Sequence, residues 1–339
     1  MTLIIITFGF LFGAVLQYAK LNKFNTISGV AILQDLTVAK AIAVAIGVGA
    51  ILLNIEIALG FATYHVKPFI LGGIILGGLI FGIGMAILGY CPGTLAISLG
   101  EGSVDALIGI IGGLTGGWIY TLVLPSIQGL LGPNMGSISI SSLTGENQLV
   151  FFVLVILLGL LFTGMAFVIH KIEKRPGKNM KWLLAGILLA VLNTIVFSTA
   201  LFNRPIGAST SYPYLADLLT GLTENSYFEK ISASGSWELI FLSGAVLSGL
   251  VLSLIRKDFK IQLTHENWKK YKGTSVSSRV IWSFIGGFIL IFGARMAGGC
   301  TSGHVISGGM QLAISSLVFA VFVFAGLLIT GRLFYKTGE

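Results

Sequence analysis

Nine long apolar stretches constrain this chain more than any other feature. They run over roughly 2–18, 41–64, 69–90, 104–124, 149–169, 182–201, 237–255, 280–299 and 312–333. At about 1.5 Å per helical residue, each is long enough for a hydrocarbon core of about 30 Å. Composition excludes the soluble alternative: the chain is 55% hydrophobic and 10% charged, where soluble domains average about 25% charged. The expected fold is an all-α integral membrane protein, a single polytopic domain of about nine transmembrane helices. The first stretch has no basic flank and no small-residue cleavage site, so it reads as a membrane helix rather than a signal peptide. The 46 glycines suit helices that approach closely in lipid.

Basic residues cluster in alternate loops. One loop holds Lys171, Lys174, Arg175, Lys178 and Lys181; another holds Arg256, Lys257, Lys260, Lys269, Lys270, Lys272 and Arg279; the loop from Pro125 to Gln148 has none. Placing the basic loops in the cytoplasm also puts Lys20, Lys23, Lys40, Arg332 and Lys336 there. Only Lys67, Arg204 and Lys230 are left outside, and Arg295 within the membrane. This satisfies the positive-inside rule and predicts an outside N-terminus and a cytoplasmic C-terminus. The +8 net charge is thus an orientation signal, and no nucleic-acid partner is expected.

The only two cysteines lie in Gly89-Tyr90-Cys91-Pro92-Gly93-Thr94 and Gly298-Gly299-Cys300-Thr301-Ser302-Gly303-His304. Both segments read G-x-x-x-x-G-x-C, through Gly84, Gly89 and Cys91 and through Gly293, Gly298 and Cys300. The cysteines are five crossings apart, and an odd offset reverses direction, so the motifs are expected to be related by inverted topology. Repeat one would cover about 1–124 and repeat two about 182–339, joined by a connector helix at about 149–169. A second pair of interruptions fits: Leu16 to Asn25 after the first stretch, and Asn203 to Thr210 after the sixth. Broken, re-entrant elements at membrane depth are tolerated where they line a cavity, and four of them would surround a central path. The alternative is that glycine-rich stretches only pack helices, and that reading is preferred for the Gly72-Gly73 and Gly77-Gly78 steps.

Freed amides at helix breaks favour anions. Ser209, Thr210, Thr94, Thr301, Ser302 and Ser307 add hydroxyls beside the breaks. Thiols are soft, weak donors, suited to brief contact with a soft sulfur atom and to binding weak enough for release. Arg295 interrupts an apolar run, which marks it as functional by default. It either attracts an anion or pairs with a buried acid, for which Glu56 is a candidate. Arg204 either recruits an anion near the outer face or snorkels to the interface. His304, four residues after Cys300, either shares its helix face or bonds a loop carbonyl, with the second preferred. Glu101 and Asp105, with Ser103, suit the N-terminus of the fourth stretch. No Walker A motif is present, two cysteines and one histidine are too sparse for a metal site, and no cofactor is expected.

At these residues the chain resembles the YeeE/YedE family of bacterial sulfur-compound transporters. The matching stretches run from Gly84 to Thr94, Gly100-Glu101-Gly102 with Asp105, Arg204 to Thr210, and Gly293 to His304. The resemblance implies an hourglass-like inverted-repeat fold in the bacterial cytoplasmic (inner) membrane. It implies thiosulfate uptake along cysteine thiols by transient hydrogen bonds, not enzymatic turnover. Cys91 and Cys300 match two of the family's pathway cysteines. A further family cysteine, following a Leu-Gln pair, aligns here with Asn22 after Leu16-Gln17, which leaves sulfite, sulfide, polysulfide or a selenium compound open as substrates. The family often works beside soluble sulfurtransferase-like proteins, an implied cytoplasmic partner. The competing class is a membrane enzyme that forms a cysteine persulfide, and a blander option is a structural subunit.

Overall fold

In lipid every backbone polar group must find a partner within the protein, which leaves helices or closed barrels. A computed structural model describes residues 1–145, 147–173 and 179–335, and among these the regular structure is helical throughout. Lys174, Arg175, Lys178 and Lys336, counted above as cytoplasmic, lie outside the described residues.

The helices fall into long–short–long triplets. α1 (Thr2–Tyr18), α2 (Phe24–Ala31) and α3 (Thr37–Ala58) form the first, and α4 (Leu71–Leu88), α5 (Pro92–Gly100) and α6 (Val104–Leu131) the second. The short α7 (Ile140–Leu143) leads to α8 (Gln148–Ile172). The third triplet is α9 (Lys181–Phe197), α10 (Ser211–Thr220) and α11 (Ser226–Ile255). After the short α12 (Glu266–Lys272) comes α13 (Val276–Met296), a π-helical turn at Thr301–Ile306 that runs into α14 (Ser307–Met310), and α15 (Ile314–Phe334).

Among the described residues, seven helical stretches are long and apolar enough to cross a membrane, and α1 and α9 are apolar helices of 17 residues. Three predicted segments differ clearly from the helices found, the 104–124 segment running on as helix to Leu131. The 41–64 segment is helical only to Ala58, and the apolar residues that follow form an extended loop. The 237–255 segment belongs to a helix that already starts at Ser226. Hydropathy registers apolar residues whether or not they are helical, and is blind to the polar turns of a helix.

Each triplet enters and leaves its short helix through a residue with left-handed φ. The entrances are Lys20 (φ 56°), Gly89 (77°), Asn203 (46°) and Gly298 (75°), and the exits are Leu33 (56°), Gly102 (93°), Gly221 (74°) and Leu312 (51°). The second glycine of each G-x-x-x-x-G-x-C motif is therefore the residue that turns the chain, where glycine carries no Cβ penalty. The first glycine has a different task. A Cβ on Gly84 would strike the Leu290 backbone of α13, and one on Gly293 the Phe81 backbone of α4. The motif thus seats α4 and α13 against each other at close range, as small residues do in membranes. Gly73 and Gly77 sit against the same α13 backbone, at Met296 and at Gly293 and Ala297, which agrees with packing for those steps.

The cysteine hairpins start from opposite ends of the bundle. Around α5, the Leu88 carbonyl accepts Arg279 Nη2 at 2.8 Å, and Val104 N–H donates to Gln262 at 2.8 Å. Both ends of that unit thus meet the chain between α11 and the start of α13. Around α14, Met296 lies against Gly73 at the start of α4, and Ile314 N–H donates to Ile138 at 3.0 Å. Both ends of that unit meet the loops beside α4 and α7. Neither break is a bent helix running straight through.

Candidate functional site

A cavity of about 1210 Å³ opens between the loops that lead into α4 and α10, the last turns of α6, the first turns of α11 and the chain that leaves α13. Its wall includes Lys67, Arg204, Lys230 and Arg295, which are the four basic residues that the charge pattern leaves out of the cytoplasmic loops. None of them is in an ion pair among the described residues. Unpaired cations gathered in a cleft with low-dielectric walls attract and concentrate anions. Burial, with Arg295 nearby, holds the Lys67 amine below its ordinary value; burial also lowers Arg204, partly offset by Glu238. The Arg204 guanidinium lies 4.3 Å from the Trp237 ring centre, a cation–π contact that fixes its orientation.

Arg295 is buried and held by hydroxyls rather than by an acid. Its Nε donates to Tyr227 Oη at 2.8 Å, and its Nη1 donates to Thr210 Oγ1 at 3.1 Å and Ser209 Oγ at 3.3 Å. Neutral acceptors position the guanidinium without cancelling its charge. Glu56, the acid suggested as its partner, forms no ion pair among the described residues and keeps one carboxylate oxygen unbonded there. The amides that open α10 are not free either: Glu238 Oε2 accepts the N–H of Thr210 at 2.6 Å and of Ser211 at 3.3 Å. The expectation that this break offers open amide donors is corrected by that carboxylate.

Cys300 lies in the cavity wall, 1% exposed, with its Sγ 3.3 Å from Ser302 Oγ. Cys91 opens α5: its thiol accepts the Thr94 N–H, and Thr94 Oγ1 accepts the Cys91 N–H at 2.8 Å. A charge on either sulfur would be felt by the other and by the Tyr212 side chain. The Tyr212 hydroxyl, from α10, donates to the Pro92 carbonyl at 3.1 Å and so ties α10 to the α5 hairpin. His304 is fully buried and fully occupied; Nε2 is 2.9 Å from the Ala297 carbonyl and Nδ1 2.8 Å from Ser316 Oγ. The carbonyl can only accept, so the ring proton sits on Nε2 and Nδ1 accepts from the serine.

Asn22 is remote from the cavity but repeats the local geometry of the cysteines. It stands two residues after left-handed Lys20, as Cys91 does after Gly89 and Cys300 after Gly298. Its side chain is 0% exposed, with Nδ2 donating to Glu101 Oε2 at 2.8 Å and Oδ1 without a partner. Glu101 also accepts Gln17 Nε2 at 2.8 Å and Lys23 Nζ at 2.7 Å. It therefore ties down the first break and does not cap α6, where Ser103 makes no side-chain cap bond. Asp105 does lie in the first turn of α6, but its carboxylate pairs with Arg279 and His265. Arg279, assigned above to a cytoplasmic loop, is in fact a fully buried part of α13.

Of the residues expected along a path, the cavity therefore brings together Arg204, Arg295, Ser209, Thr210 and Cys300. Cys91, Thr94, Asn22, Glu101 and His304 lie beyond it. Sequence reasoning missed Lys67, Tyr212, Tyr227 and Glu238. For Lys67 a signal was available, since it is one of three basic residues outside the cytoplasmic set. For the others nothing local marks them, because their partners are distant in sequence.

Residues 23–329 match the family model described as Sulphur transport. The chain is also 25% identical over 334 residues, 94% of both chains, to a protein of Spirochaeta thermophila named thiosulfate transporter TsuA.

Proposed function

The chain belongs to the Sulphur transport family, a family of transporters, and on that premise we propose that it imports a small sulfur-containing anion, thiosulfate first among them, across the bacterial cytoplasmic membrane. The observation that carries this reading is the convergence of Lys67, Arg204, Lys230 and Arg295 on one cavity with Cys300 in its wall. The cations gather the anion, and the soft sulfur of Cys300 meets its terminal sulfur. Cys91, with the Tyr212 hydroxyl beside its hairpin, takes the next contact. Asn22 and Glu101 then lie on the route towards the cytoplasmic side. Each thiol gives a weak hydrogen bond, which keeps any one stage from trapping the ion.

The architecture that suits this route is a single domain of nine crossings, with repeats at about 1–124 and 182–339 of opposite orientation and α8 between them. The N-terminus lies outside and the C-terminus in the cytoplasm, as the basic loops require. A soluble sulfurtransferase-like acceptor receives the anion on the inner side. The similarity to a thiosulfate transporter favours thiosulfate over sulfite or sulfide, while Asn22, in place of a third thiol, makes the last stage harder and less selective for soft sulfur. The test is growth of a strain unable to import sulfate, carrying this chain and supplied with thiosulfate alone. Rescue on thiosulfate supports the reading, and rescue confined to sulfite or sulfide replaces the substrate.

A further inference from the structure

Glu238 is the buried carboxylate in the wall of the basic cavity. It holds the donors that an arriving oxyanion would otherwise find there. Its Oε2 takes the Thr210 and Ser211 amides, and its Oε1 lies over Gly207, where any Cβ would collide with it. The hydroxyls of Thr210 and Ser209 in turn receive Arg295. Lys67, Arg204 and Arg295 all feel the Glu238 charge, yet none approaches within ion-pairing distance. A structural ion pair would bring the opposite charges together. Here the carboxylate stays on the amides, and the cations remain available to a ligand.

We propose that Glu238 is a built-in competitor of the transported anion, a residue that sets how strongly the cavity holds an oxyanion and how readily it passes the ion on. The inference rests on the transport reading above. Four cations with no opposing charge would retain a dianion, whereas transport requires binding weak enough for departure. One negative charge in a cavity partly shielded from water alters dianion affinity by roughly tenfold or more.

The test is Glu238→Gln, whose amide oxygen can still accept the Thr210 N–H, compared with Glu238→Asp, which keeps the charge. Purified proteins are titrated calorimetrically with thiosulfate, sulfite and sulfate, and uptake is followed in proteoliposomes. The expected result is a Kd roughly tenfold lower in E238Q for all three anions, with KM and kcat for uptake falling together, while E238D binds like the wild type. A residue that only caps the start of α10 would shift the melting temperature and leave Kd alone; an unchanged or raised Kd in E238Q overturns the inference. Should E238Q not fold, the E238Q/R204Q pair decides the matter by restoring the net charge. Wild-type affinity in the pair supports the inference, and a pair as weak as R204Q alone overturns it. A wild type that prefers sulfate to thiosulfate contradicts the substrate reading but leaves the charge comparison intact.

Discussion

Gly89 and Gly298 adopt the same left-handed backbone, φ 77° and 75°, each two residues ahead of a cysteine. Two hairpins that start from opposite ends of the bundle thus deliver Cys91 and Cys300 by one local device. The device is steric, so it makes a graded prediction. At Gly298 a Cβ meets nothing within 4 Å, whereas at Gly89 it meets the Phe24 ring. Gly298→Ala should cost only the left-handed penalty, roughly 1–2 kcal/mol, and Gly89→Ala more. Thermal unfolding of the two variants in detergent checks the order.

Arg295 depends on neutral hydroxyls for its position and contributes its whole charge to the cavity. Arg295→Gln should raise the KM for thiosulfate uptake tenfold or more. Tyr227→Phe removes only the Nε acceptor and leaves the charge in place, so it should lower the stability by about 1.5–3 kcal/mol, the usual range for a hydrogen bond to a charged group, while raising KM less than Arg295→Gln does. Uptake kinetics in proteoliposomes distinguish the two.

Lys67 gives the cavity a pH-dependent edge. Burial, then the Arg295 charge, lowers its pKa from the ordinary 10.5. A cation is lost as pH rises through its pKa, so anion affinity should fall on an alkaline limb that begins below the usual lysine range. Lys67→Arg should move that limb to higher pH. Thiosulfate Kd measured against pH for both proteins is the check.

Asp105 and Arg279 form a fully buried pair, with His265 and the Tyr90 hydroxyl on the same carboxylate. Asp105→Asn leaves a buried arginine uncompensated and should destabilise the fold by about 3–5 kcal/mol. Thiosulfate affinity, read on the fraction that remains folded, should not change.

Much of this arrangement could be read along the chain, because its causes are local. The breaks are written in Gly89, Gly298 and their cysteines, and the basic cavity in the few lysines and arginines that the charge pattern sets apart from the clustered basic loops. What could not be read depends on tertiary partners. Glu238 caps a helix that begins 27 residues before it, Arg279 finds Asp105 across 174 residues, and Arg295 settles on hydroxyls instead of Glu56. Hydropathy also counts α9, a 17-residue helix, together with the apolar turn after it, so it overstates the helix while still finding it.

The most direct measurement follows thiosulfate, with its two sulfurs labelled separately, into proteoliposomes that carry the wild type, Cys91→Ser, Cys300→Ser or Asn22→Cys. The account predicts that both labels enter together, that each serine variant loses most of the flux, and that the added thiol at position 22 raises it. Labels that part company, with one retained on a protein persulfide, or serine variants that transport like the wild type, would contradict passage of an intact anion along these sulfurs.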